Sequence, residues 1–139
     1  MEYDEVFFEG VGREMEEDFP GVLFAFLFGS VVSGGLREES DIDLAIFVDD
    51  MDQRLELIPA LTEWMERRFS GRTCDLVFLN TAGPLVAFEA LKGFKLFVRP
   101  LAIDHYAAFY SLTCREYEDQ IFWMKRQLQY RGYEIQWDY

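Results

Sequence analysis

The sequence predicts an α/β (α+β) chain organised as one domain, and three observations carry that reading. Short apolar runs, "GVLFAFLF", "DIDLAIFV" and "CDLVFLN", have strand length and are continuous enough to be covered on both faces. Segments with apolar residues at helical spacing lie between them. Residues 102–132 repeat apolar and aromatic positions at steps of three and four, the pattern of a long helix.

Residues 4–18 read as a frayed amphipathic helix that ends before Pro20. The first strand follows at 21–28, then a polar, glycine-containing loop, then a second strand at 41–48. Residues 49–70 form a helix with an acidic start and a basic end at Arg67 and Arg68, as the helix dipole favours, and Pro59 is expected to kink or divide it. Asp49, Asp50 and Asp52 are assigned to capping that helix rather than to a metal.

The third strand is placed at 74–80. A short helix at 81–94 has Pro84 in its first turn and Gly93 at its end. A fourth, edge strand at 95–99 is stopped by Pro100. In the last segment Tyr106, Tyr110, Thr113, Tyr117, Ile121, Met124 and Leu128 stack on one face. A helix of that length, about 45 Å, exceeds the width of a small domain, so it either bends back or projects an end rich in Phe122, Trp123 and Tyr130.

The 139 residues fit a single domain, 1–139, with its motif core at about 22–99 and a C-terminal helical segment at about 102–132. A chain of this size buries roughly 68% of its unfolded surface, enough for a core. A net charge of −13 argues against wrapping duplex nucleic acid or binding an anionic membrane. It suits a basic protein partner, and the 17% aromatic content fits a partner surface or a dense core alike. No apolar run spans a bilayer, and the acidic "MEYDEVFFEG" lacks the basic start of a secretory leader. Cys74 and Cys114 belong to no CxxC pair and read as buried free thiols of a reducing, cytoplasmic compartment. His105, the single histidine, is a structural or surface group.

Chemistry concentrates in "FGSVVSGGLREESDIDLAIF". Asp41 and Asp43, two apart on a strand, project to one side about 6.6 Å apart. At an effective dielectric near 20 they repel by roughly 2 to 3 kcal/mol before solvent screening. A cation between them relieves this, and magnesium is the natural one: a hard ion held by one or two carboxylates and completed by water and phosphate oxygens. Gly29 leaves room for close backbone approach, and Ser30 offers a hydroxyl and amides for an anion. Asp75, near the start of the third strand, supplies a third carboxylate if that strand lies beside the second. The loop has no GxxxxGK[ST], which excludes a P-loop.

"FGS", ten residues, then "DID" resembles the Gly-Ser…Asp-x-Asp signature of the DNA polymerase beta-like nucleotidyltransferase superfamily. With "CDLVFLN" and "PLVAFEALKGFKLFVRP", the chain looks like the MNT-type minimal nucleotidyltransferases over about residues 22–99. The resemblance implies the polymerase beta-like fold, a mixed sheet of about four strands flanked by helices. It implies two Mg2+ ions held by Asp41, Asp43 and Asp75, acting as the catalytic set, and ATP as the substrate. Gly29 and Ser30 would hold the triphosphate, and the nucleotide-binding expectation extends along the loop to Ser33, Gly34, Arg37 and Ser40.

Ser33 stands where the family pattern has an arginine before glycine, and Arg37 is the candidate to replace it. MNT proteins commonly pair as antitoxins with a HEPN-domain ribonuclease toxin, some attaching AMP to a toxin tyrosine. The resemblance therefore implies a HEPN toxin partner and a hetero-oligomer, with a homodimer as the other assembly. Two rival readings stand beside it: a binding-only antitoxin with a vestigial site, and a small-molecule nucleotidyltransferase of the antibiotic-modifying kind.

Overall fold

A computed structural model describes residues 3–37 and 39–132. The order is α1 (Glu5–Asp18), β1 (Val22–Phe28), α2 (Ser30–Ser33), β2 (Ile42–Val48), α3 (Arg54–Arg68), β3 (Cys74–Phe78), α4 (Pro84–Leu91), β4 (Phe94–Val98) and α5 (Ile103–Tyr130). Short 3-10 turns at Met51–Gln53 and Pro100–Ala102 lead into α3 and α5.

The four strands form one sheet in the order β3-β2-β1-β4. β1 runs antiparallel to β2 and to β4, whereas β2 and β3 run parallel. The sheet is thus mixed, and β4 is an edge strand as its sequence indicated. Helices cover both faces. Phe8, Val11 and Met15 of α1 and Leu61, Trp64 and Met65 of α3 pack with Ala25, Leu27, Leu44 and Ile46 on one face. Ala87, Ala90 and Leu91 of α4, joined by Tyr106 and Phe109 of α5, pack on Phe24, Phe26 and Ala45 on the other. This double coverage is why β1 and β2 read as unbroken apolar runs rather than as alternations.

Several local devices fix the frame. A Cβ on Gly12 would overlap the Leu96 carbonyl, so the glycine lets α1 lie directly on β4. Arg99 donates to the carbonyls of Val22 (2.6 Å), Glu16 (2.7 Å) and Phe19 (2.9 Å), tying the end of α1 to the sheet. The Asn80 side chain accepts from the Val48 N–H at 3.0 Å and donates to its carbonyl at 2.9 Å, prolonging the β2–β3 pairing past the last strand residue.

Three sequence readings are corrected. α1 is not frayed at its start, because the Asp4 carboxylate accepts from the Phe7 N–H at 2.9 Å and caps it. Pro59 does not divide α3, which runs unbroken from Arg54 to Arg68. Cys114 is half-buried rather than buried; Cys74 is buried, and both are free thiols. Of the two courses left open for α5, the structure takes the projecting one, and its stripe packs only along the first half. Tyr106 and Phe109 sit on Phe24, Thr113 is buried, and Tyr117 stacks on Phe88 at 3.8 Å. Beyond Tyr117 no residue of α5 is buried; Met124 and Leu128 are exposed, as are Phe122, Trp123 and Tyr130. The 28-residue helix is continuous, about 42 Å long, and does not fold back. Among the described residues, no helix is long and apolar enough to cross a membrane.

Candidate active site

The loop-bearing end of the sheet is where β1 stops and β2 and β3 begin. In the parallel β2–β3 ladder Asp43 is the register partner of Asp75, so the two carboxylates leave adjacent strands side by side. Asp43 also pairs with Phe28, the last residue of β1. Alternation along β2 puts Asp43 on the same face as Ala45, the face covered by α4 and α5. Asp41 stands one residue outside the strand, where Ile42 N–H donates to the Thr73 carbonyl at 2.9 Å and opens the ladder. The three acids expected from sequence therefore come from two strand entrances into one locality.

Their electrostatics agree with that placement. The Asp43 carboxyl is pushed up from the ordinary carboxylate range, first by burial, then by the negative charge of Asp75 and of Asp41. Cys74, turned to the opposite face, has its thiol pushed up to about 12, chiefly by burial and then by Asp75. It is an inert core thiol rather than a nucleophile.

Gly29 completes the cradle. It leaves β1 at φ 74 and ψ −149, a conformation essentially confined to glycine, and a Cβ there would overlap an Asp43 carboxylate oxygen. The chain then makes a single helical turn. The N–H groups of Val32 and Ser33 bond the Gly29 carbonyl at 3.1 and 3.0 Å, and Gly34 closes the turn at φ 88. Ser30, half-buried, opens that turn immediately after Gly29. Ser33 and Gly34 lie at its far, exposed end.

Arg37 and Ser40 belong to a second turn. The Arg37 N–H donates to Ser40 Oγ at 2.9 Å, and the Ser40 N–H returns to the Arg37 carbonyl at 3.1 Å. The Arg37 side chain is exposed. The sequence reading missed Arg72, whose Nη1 donates to the carbonyls of Arg37 (2.5 Å) and Ser40 (3.2 Å). Its only sequence signal is a cation just ahead of the third strand.

Among the described residues, no group of three or more His, Cys, Asp or Glu side chains is placed to hold a metal ion. The donor set is a register pair of carboxylates with a third at the strand entrance. All donors are hard oxygens, and their mutual repulsion is what a divalent cation would relieve. This fits Mg2+, which takes one or two carboxylates and completes its octahedron with water and phosphate oxygens, better than an ion that needs an all-protein cage.

A mixed sheet of four strands with a Gly-Ser turn packed against paired strand carboxylates defines a nucleotidyltransferase-type domain. The family model for polymerase beta nucleotidyltransferases matches residues 13–100, and the chain belongs to that family. Among solved structures it is similar to a toxin–antitoxin crystal structure with AMP-PNP, at a TM-score of 0.61 and 21% identity over 87% of this chain and 92% of that one. It is also similar to the MntA–HepT toxin–antitoxin structure, at 0.56 and 18% over 91% and 93%. A third likeness is to a structure of tri-AMPylated Shewanella oneidensis HEPN toxin in complex with MNT antitoxin, at 0.55 and 19% over 90% and 92%. At these identities the likeness shows a shared fold. A comparison with curated proteins gives no match.

Proposed function

We propose that this chain is a magnesium-dependent nucleotidyltransferase that moves AMP from ATP to a protein hydroxyl, a tyrosine of a HEPN-type toxin, and thereby acts as that toxin's antitoxin. The observation that carries the reading is the register pairing of Asp43 with Asp75 under the Gly29 turn. Its family, and the AMP-PNP and AMPylated-toxin complexes among its structural neighbours, support the substrate and the acceptor.

In this reading Asp41, Asp43 and Asp75 would hold Mg2+, with Asp43 between the other two, Asp41 on the triphosphate side and Asp75 on the acceptor side. Bound Mg2+ supplies charge neutralisation for the triphosphate and acidity for the acceptor hydroxyl. Gly29 and the Ser30 turn hold phosphate oxygens by backbone approach, since the first turn of a helix leaves N–H groups without intrahelical partners. The acceptor oxygen forms a bond to the α-phosphorus, the bond to the β-phosphate oxygen breaks in line with it, and pyrophosphate leaves. The hydroxyl proton passes to solvent or a site carboxylate. The exposed apolar end of α5, with Trp123 64% accessible, is surface available to a protein partner.

Incubation with ATP labelled at the α-phosphate, Mg2+ and the partner toxin tests this. Transfer to the toxin is expected from the wild type and not from a folded Asp43→Asn variant. Equal labelling by that variant would defeat the mechanism. Neutralisation of the toxin without ATP or Mg2+ would favour the binding-only reading.

A further inference from the structure

Asp43 is held on both sides by strand pairing, to Phe28 and to Asp75. Asp41 has no such support, because the ladder opens only at Ile42. What precedes Asp41 is the closed Arg37–Ser40 turn, and the carbonyls at both ends of that turn accept from Arg72 Nη1. Arg72 is itself anchored, its N–H donating to the Phe69 carbonyl at 3.0 Å, and it stands one residue before Thr73 and three before Asp75. One guanidinium thus spans from the strand that carries Asp75 to the loop that delivers Asp41.

We propose that Arg72 is a positioning residue of the carboxylate site, a clip that fixes where Asp41 enters relative to Asp75. The inference rests on the reading of this site as a nucleotidyl-transfer centre. Charge-assisted hydrogen bonds from a half-buried guanidinium are stronger than neutral ones, and its planar geometry fixes direction as well as distance. Loosening the turn leaves Asp43, Asp75 and the Gly29 cradle in place and frees only Asp41. Asp43 and the Gly29 turn still hold the triphosphate end, so the cost falls mainly on the alignment of reacting groups and less on nucleotide capture.

The test uses the full chain with Arg72→Ala, and Arg67→Ala as a control. Arg67 is an exposed α3 residue paired with Glu63, and its loss changes net charge equally. Hydrogen exchange followed by mass spectrometry is expected to show amides in 36–42 exchanging about tenfold faster in Arg72→Ala, with β1 and α3 peptides unchanged. In the transfer assay kcat falls about tenfold or more while KM for ATP stays within about threefold, because misplacement by an ångström penalises the chemical step. Added guanidinium ion restores part of that kcat. Arg67→Ala behaves as wild type throughout.

Unchanged exchange in 36–42 overturns the proposal, and so does a loosened loop with unchanged kcat. If wild type transfers nothing to any acceptor, the functional reading fails by itself, and the exchange measurement still decides whether the clip exists. Should Arg72→Ala not fold, Arg72→Lys takes its place, with the same signs and smaller changes.

Discussion

Gly29 and Asp43 lie so close that a Cβ on the first would overlap the carboxylate of the second. The contact joins the end of β1 to the start of β2 and leaves the Asp43 carboxylate against bare backbone. Gly29→Ala is therefore expected to act twice. It destabilises the fold by about 1–3 kcal/mol, since residue 29 occupies a glycine-only conformation. It also displaces Asp43, so transfer should drop far more than the lost stability explains. Denaturant unfolding and kcat on the same preparation check both; an alanine variant with wild-type rate would mean that the contact has no functional weight.

Asp43 gives a pH prediction. Its carboxyl is pushed above the ordinary range in the folded chain. Between the unfolded value of about 3.9 and the folded one, the native state holds a proton that the unfolded state has released. Stability therefore falls as pH rises through that window, and above it the penalty is fully present. An asparagine side chain at this position has no proton to lose. In chelator, Asp43→Asn should be the more stable protein at pH 7, and its advantage should vanish by about pH 3, below the unfolded value. Urea melts across that range measure it, and a variant less stable than wild type at neutral pH would contradict the assigned burial and repulsion.

Trp123 tests the partner side of the proposal. It projects from the unburied half of α5, so Trp123→Ala should shift the melting temperature of the isolated chain by no more than about 1–2 °C. A buried aromatic anchor at a protein interface is commonly worth about 2 kcal/mol or more, which predicts at least about a thirtyfold weaker complex with the toxin. Calorimetric titration with the toxin reads it directly. Undiminished affinity would place the interface elsewhere on the chain.

The frame and the Asp41–Asp43 pair were legible because each leaves a local mark. Strands covered on both faces produce unbroken apolar runs, and Asp41 and Asp43 announce themselves by their two-residue spacing at the entrance to one strand. Asp75 needed more, since its value depends on β3 lying parallel to β2, a pairing that no local pattern encodes. Arg72 was invisible for a related reason: it acts through backbone carbonyls some thirty residues away, which any sequence would provide. The α5 stripe left the course of its far end open. Its three-four spacing specifies a helix face, but whether that face meets the sheet or points into solvent depends on how far the sheet reaches. Past Tyr117, none of the described sheet or helices is left to bury it.

The Mn2+ ion, a diffraction-visible substitute for Mg2+, offers the most direct test of whether carboxylates from β2 and β3 meet around one cation. The measurement is anomalous diffraction from crystals grown with Mn2+ and a non-hydrolysable ATP analogue. The account predicts an anomalous peak bound by both Asp43 and Asp75, with a phosphate oxygen completing its shell beside the Gly29 turn. Manganese found away from that pair, or nucleotide bound with Asp75 turned from the ion, would contradict it.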